Sequence, residues 1–416
     1  MSRKDLSNWI IHFVHRRNPE NDPLEFSYDF EDFSYIQFPD SFTYEGEPIF
    51  LTEKYEEDDY GLEPDAYAFG VLKKILHDGI IKTGWSYRNG NATIYGPKSA
   101  ACFTEMPLYA LIEYAKNRRD ENSIEPYGIA FLKPELFEAG ARPVIYGLSG
   151  KHQEAKEGDA NYGIGLRTLS TVCGIGLREM YRYVYTNINS QRLIDWTHER
   201  EWRWADLDER FKFPGMPFIA ENEYFTFSKI IVIVKTREEA EDIIDHLQNL
   251  YHSKSTNFER MYDLKVISNT AVLAIDDLES MEFDLKNVKL DDLPINTIPQ
   301  IQKIKVRPKT YELVKKAIEE AGKIAYVESR KKFEEIGDVG PCGWYKIMTH
   351  ESNSEITQAL VDLEIAHSYG KGDYTLYGIK SYPAQAIAVD EPGSKAAAKY
   401  LTEVLGQSFY TEIRWD

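Results

Sequence analysis

The run Ile194-Asp195-Trp196-Thr197-His198-Glu199-Arg200-Glu201-Trp202-Arg203-Trp204 gathers three tryptophans, two glutamates and two arginines into one short stretch. Packing alone rarely calls for that mixture. Read as a strand, it sets Glu199, Glu201 and Arg203 on one face and His198, Arg200, Trp202 and Trp204 on the other. Two carboxylates sharing a face, roughly 6 to 7 Å apart by strand rise, could present acid chemistry. The plain alternative is an edge strand whose charges pair with its neighbours.

Other candidates lie earlier in the chain. A strand over Trp9 to His15 carries His12 and His15 towards its far end, where a histidine is more often a satisfied polar group than a ligand. Glu105 sits between a short buried strand, Ala100 to Thr104, and a helix that opens with Pro107 in its first turn. Gly163, Gly165, Gly174 and Gly176 do not form a phosphate loop, because no strand leads into them and no Gly-Lys-Ser/Thr follows. Metal chemistry lacks its spacing too: there is no Cys-x-x-Cys and no His-Glu-x-x-His.

The elements that would position these groups alternate without a βαβ rhythm, which predicts an α+β fold. Asp65 to Asp78 has helical apolar spacing and a glycine stop at Gly79. Tyr127 to Leu132, Pro143 to Tyr146, Ile230 to Lys235 and Ala271 to Ile275 read as strands, and Gly165 to Tyr185 and Arg237 to Leu250 as helices. Residues 16–64 are acidic and aromatic, as expected of a covering insertion or a solvated acidic surface. Acidic, proline-punctuated residues 285–304 read as a linker. The expected division is therefore a domain over 1–284 and a smaller α/β domain over 305–416. In the latter, helices are expected at Thr310 to Glu335, Ser354 to Tyr369 and Ser394 to Leu405, with strands near Trp344 to Met348, Tyr374 to Tyr377, Ala384 to Val389 and Ser408 to Trp415.

At 416 residues, with 43% hydrophobic and 28% charged side chains, the chain can bury more than one core without disulfide staples. A formal net charge of −19 sets most of its surface field against polyanions, so non-specific binding to nucleic-acid backbones is disfavoured as the main mode. Three scattered cysteines, and no apolar window of signal or membrane-span length, lead to the expectation of a cytoplasmic protein in a reducing compartment.

Three pieces taken together resemble known proteins: His12-Phe13-Val14-His15; Leu72 to Ile80 leading into Ala101-Cys102-Phe103-Thr104-Glu105-Met106-Pro107-Leu108; and the late strand with Glu199 and Glu201. Their order is similar to a compact ADP-ribosyltransferase fold of the DarT-like and poly(ADP-ribose)polymerase-like kind. More narrowly, Cys102 to Leu108, Tyr127-Gly128-Ile129-Ala130-Phe131, Arg142-Pro143-Val144-Ile145-Tyr146 and Asp195 to Arg203 resemble the AbiGi-type abortive phage resistance family. The likeness spans roughly residues 9 to 275 and leaves the C-terminal part unexplained.

The resemblance implies a phage-defence effector that uses NAD as co-substrate, needs no metal, and transfers ADP-ribose to a macromolecule. Cleaving the bond to nicotinamide builds oxocarbenium-like charge on the ribose, which a nearby carboxylate stabilises. Glu201 is the first choice for that carboxylate, with Glu199 as substitute or partner. The resemblance further implies His12 or His15 on the ribose or the nicotinamide amide, Tyr95 stacked on the ring, Glu105 in the same cleft, and Arg203 on a glutamate or a phosphate. AbiGi proteins are also described as antitoxins, so the alternative is a catalytically silent antitoxin or sensor that binds a protein partner. A nucleic-acid target remains open.

Overall fold

Ile230–Val234 is apolar at every position, which demands cover on both faces, and a seven-stranded sheet provides it. The computed structural model describes residues 6–16, 67–88, 91–117, 125–165, 167–189, 193–211, 215–254, 260–294, 298–302, 304–368 and 372–415, with the backbone of short strands at Thr43–Tyr44 and Glu47–Pro48. The expected acidic insertion at 16–64 lies almost wholly outside these residues.

From one edge, the sheet runs Ala271–Ala274, Ile230–Val234, Tyr127–Leu132, Trp9–Val14, Ala101–Thr104, Glu201–Trp204 and Arg142–Pro143. Only the first pair is parallel, so the fold is mixed α+β. Trp9 and Ile11 of the central strand share one face with Ile231, Ile233, Ala271 and Leu273, under Leu108, Leu111 and Ile112 of the helix Leu108–Asn117. Each such aliphatic burial contributes about 1.5–3 kcal/mol. Gly128 is fixed by close approach, since a Cβ there would meet Ile11 Cγ2 at 2.8 Å and the His12 carbonyl oxygen at 2.9 Å. The helix Ala68–Asp78 ends at Gly79, which takes the left-handed conformation (φ 71°) and donates its N–H to the Ile75 and Leu76 carbonyls.

The chain divides into two compact units, residues 1–241 with 256–300, and residues 242–255 with 301–416. The stretch expected as a linker belongs largely to the first unit: Val288, Leu290, Leu293 and Ile298 are buried in its core. Its acidic residues masked that apolar spacing. Asp291 in addition accepts hydrogen bonds from Ser7 Oγ and the Asn8 N–H.

The second unit holds a four-stranded antiparallel sheet in the order Ala366–Ser368, Tyr374–Leu376, Gly343–Thr349, Tyr410–Trp415. The helices Pro308–Ile336, Glu355–Asp362 and Ile387–Leu405 belong to the same unit. Its core joins Val314, Ala317, Ala321 and Ala325 to Ala397, Leu401, Leu360 and Tyr374. The helix expected through Tyr369 stops at Asp362, where Leu363 caps it and Glu364 turns left-handed (φ 57°). The strand expected at Ala384 to Val389 is instead the run into the helix Ile387–Leu405. In the first unit, the expected helix Gly165 to Tyr185 is reduced to the 3-10 turns Thr171–Cys173 and Leu177–Arg182, because Gly174 takes φ 71° between them. Likewise Pro143 to Tyr146 splits: Arg142–Pro143 joins the large sheet, whereas Ile145–Tyr146 pairs in parallel with Tyr183–Val184.

Candidate functional site

The extended run expected from Ile194 to Trp204 is broken. Asp195 accepts from the Thr197 N–H at 3.0 Å and from Thr197 Oγ1 at 2.6 Å, an Asx turn that leads into the 3-10 turn Thr197–Glu199. Arg200 then takes φ 46°, and regular strand begins only at Glu201. The turn is fastened to the neighbouring strand: Thr104 Oγ1 donates to the Glu199 carbonyl at 2.6 Å, and the Glu105 N–H donates to the Arg200 carbonyl at 3.1 Å. Glu199 therefore leaves the strand alternation that placed it beside Glu201. Its Oε1 accepts from the Tyr114 hydroxyl at 3.0 Å.

Within the strand, Glu201 stands opposite Thr104 and Arg203 opposite Cys102. Glu201 Oε1 accepts from Arg203 Nε at 2.7 Å, while Arg203 Nη1 donates to the Tyr181 carbonyl at 2.6 Å and the Tyr183 carbonyl at 3.2 Å. Arg203 is 4% exposed. Burial works hardest against its charge, but the Glu201 carboxylate and Cys102 together outweigh that and hold its pKa above the ordinary guanidinium value. Burial first, and then the same carboxylate, push the Cys102 thiol up to about 12, which makes it inert as a nucleophile at neutral pH. The Glu201 N–H donates to the Tyr146 hydroxyl at 2.6 Å. Arg203 is thus a structural cation that ties its strand to the end of the 3-10 turn Leu177–Arg182 and the start of the strand Tyr183–Val184, and Glu201 is its counter-ion.

Beside this enclosed pair the same face opens onto a run of rings. His15 sits edge-on to Phe13 (centroids 4.7 Å), Phe13 meets Tyr114 at 6.5 Å, Tyr114 meets His198 at 6.2 Å, and His198 meets Trp196 at 6.3 Å. His15 and His198 are exposed, and Glu199 is half-buried between Tyr114 and the turn. This part of the first unit brings together a carboxylate, two solvent-accessible imidazoles and three aromatic rings.

The structure separates the other expected residues from it. Strand register pairs Ile11 with Thr104 and Thr104 with Glu201, so His12, one residue on, points to the opposite face. There its Nδ1–H donates to the Cys102 carbonyl at 2.9 Å and its ring meets Phe103 at 5.5 Å. Burial lowers its pKa to about 4 against the opposing pull of that hydrogen bond, so it is neutral at pH 7. Glu105 lies on the His12 side as well, accepting from Lys133 Nζ at 2.6 Å and from Trp202 Nε1 at 3.0 Å. Tyr95 packs elsewhere, in a small cluster with Leu169, Met180 and Tyr183. The Arg167 guanidinium lies 4.5 Å from its ring centroid, and Tyr183 and His152 crowd it at 5.2 and 5.7 Å. No ring face is left for a ligand, which corrects the stacking role expected for Tyr95.

Tyr114, His198, Trp196 and Tyr146 went unassigned in the sequence. Tyr114 had a signal: three residues beyond Leu111, it shares the face of a helix whose core residues were legible. Tyr146 had none, since its contact with Glu201 bridges 55 residues. A cleft of about 450 Å³ lies among Phe218, Phe225, Phe227, Asp263 and Arg260. Phe218 and Phe227 pack on Phe131, which meets Phe103 on the His12 side of the sheet, so this cleft is separate from the glutamates. Among the described residues, no group of three or more His, Cys, Asp or Glu could hold a metal ion, and no helix is long and apolar enough to cross a membrane. In comparisons with known proteins, no family model, no curated protein and no solved structure matches this chain.

Proposed function

We propose that the first unit cleaves the bond between nicotinamide and ribose in NAD and passes ADP-ribose to a macromolecule, as an effector of phage defence. The observation that carries this reading is the placement of Glu199 on a fastened turn beside Tyr114, His198, Phe13 and His15. Cleavage sends the bonding electrons to the nicotinamide nitrogen, which neutralises its ring and leaves positive charge on the ribose. A carboxylate held by one oxygen, with its other oxygen facing no partner among the described residues, can stabilise that charge without reorganising. Glu199 takes this role, and Glu201 the role of positioning Arg203 and the strand end. The ribose cation is then captured by a nucleophile on the target, which gives up a proton. His198 or His15 is placed to accept it.

The test is direct. Purified protein incubated with NAD should release nicotinamide and label a macromolecule from a cell extract with ADP-ribose. Failure of both, with the protein folded, removes the reading.

A second reading is favoured by a specific observation, the engagement of Glu201 by a buried guanidinium that two carbonyls also hold. In a catalytically silent antitoxin or sensor, that arrangement is purely structural, and the ring-lined face serves to bind a protein partner. NAD would then fail to bind, as calorimetry would show.

A further inference from the structure

The strand Tyr410–Trp415 closes one edge of the second unit's sheet, paired on one side with Gly343–Thr349 and bordered by no other described strand. Edge strands with free backbone groups template further pairing unless charge, proline or a bulge blunts them. Here four consecutive residues, Glu412 to Trp415, are exposed, and none is proline. Ile413 is 38% and Trp415 64% exposed, large apolar surfaces for an edge.

The order of side chains selects one occupant. Register with the neighbouring strand puts Glu412 and Arg414 on the face of Lys346 and Trp344, and Ile413 on the face of Tyr345. Alternation places Thr411 and Trp415 with Ile413. Two copies of this strand paired antiparallel about a two-fold axis at Ile413 would set Glu412 against Arg414 of the second copy, twice, on one face. On the other face they would set Ile413 against Ile413, flanked by the two Trp415 rings. Charge meets opposite charge and apolar meets apolar, which is the isologous pattern a two-fold interface requires. Centring the axis on Glu412 or Arg414 puts like charges opposite, and parallel in-register stacking repeats Glu on Glu. Both are penalised, so the pairing closes as a dimer and does not grow. Neither Glu412 nor Arg414 makes an ion pair among the described residues, so the charges are available.

We infer that a second copy of this chain docks on the strand Tyr410–Trp415, forming a two-fold dimer through a continuous antiparallel sheet centred on Ile413. Sedimentation of the full chain at rising concentration should show monomer giving way to dimer. Glu412→Arg and Arg414→Glu each place like charges across the axis and should remain monomeric, with circular dichroism unchanged. Mixed in equal amounts, these two variants become complementary again. They should form a mixed dimer containing one of each, identified by giving one variant a distinguishing mass tag. A wild-type chain that stays monomeric up to its solubility limit overturns the inference. So does a dimer that survives both single substitutions, or a mixture that fails to pair.

Discussion

On one face of the seven-stranded sheet, Glu201 meets a guanidinium that is almost wholly enclosed; on the other, Glu105 meets Lys133, whose side chain keeps 34% of its surface exposed. The two pairs have nearly equal lengths, 2.7 and 2.6 Å, yet their energetics differ. Glu105 and Glu201 are equally shielded, each 13% exposed, so the difference lies in the cation: water reaches the Lys133 ammonium and discounts that pair towards the value of surface pairs, about 0–1 kcal/mol. Breaking an enclosed one strands a charge where water cannot reach it. Similar carboxylates on adjacent strands thus hold different amounts of the fold. Free carboxylate for chemistry has to come from neither, which turns attention to Glu199 on its turn.

The comparison is broken most forcefully at Arg203. Arg203→Met keeps much of the side-chain volume but leaves Glu201 and the Tyr181 and Tyr183 carbonyls without their donor. A loss of about 3–5 kcal/mol is expected in urea unfolding. Lys133→Met should lose no more than about 1 kcal/mol. Equal losses would mean that enclosure does not distinguish the two faces.

His12 sharpens the contrast through pH. Its folded-state pKa is depressed to about 4 from an ordinary 6.5, chiefly by burial, so the native state resists protonation more than the unfolded chain does. The associated stability is complete above pH 6.5 and is lost as pH falls from there towards 4, by roughly 3 kcal/mol. His12→Gln lacks the titration. Subtracting its stability from that of the wild type at each pH should give a curve that falls across this window. Parallel curves would show that His12 is not the titrating group on this face.

The third test separates the two glutamates. Glu199→Gln should reduce nicotinamide release by about a hundredfold, through loss of charge opposite the ribose cation, with an unchanged urea midpoint. Glu201→Gln should behave inversely. It weakens a charge-assisted bond to Arg203 at a cost of about 1.5–3 kcal/mol, and leaves turnover per folded molecule near wild type. If Glu201→Gln is the folded but inactive variant, the catalytic carboxylate is Glu201 after all.

What could be read in the chain beforehand follows a physical divide. Elements whose residues speak for themselves were legible: the continuous apolar run at Ile230–Val234, the largely apolar Trp9–Val14, and the helix Ala68–Asp78 with its glycine stop. Two features of the site could not be read locally. Whether His12 shares a face with Glu201 depends on the register through Ala101–Thr104, where a one-residue shift exchanges the faces. The Asp195 side chain competes with the strand for the Thr197 N–H, and the left-handed Arg200 that follows moves Glu199 out of alternation, although the residue types still read as extended. Periodicity shows which residues of one element face together. It is silent on which face of one strand meets which face of another.

The smallest effect is expected at Tyr95, and it tests whether a buried aromatic in a separate cluster acts as core or as ligand platform. Its hydroxyl is buried and has no hydrogen-bond partner among the described residues, a desolvated polar group with nothing in return. Burial pushes its pKa upward, so the group is an uncharged phenol. Tyr95→Phe removes only that hydroxyl. The ring, the Arg167 guanidinium over its face and the edge contacts with Tyr183 and His152 all remain. Stability should therefore hold level or rise by up to about 1 kcal/mol. Nicotinamide release should stay at the wild-type rate, because no face of this ring is open to substrate. Tyr114→Phe is the matched control: it removes the bond to Glu199 Oε1, and should lower turnover while changing stability little. A Tyr95→Phe chain that folds normally but releases nicotinamide slowly would restore the stacking role, and would require Arg167 to leave the ring when substrate binds. A chain that instead loses more than about 1 kcal/mol would reveal an ordered water satisfying the hydroxyl.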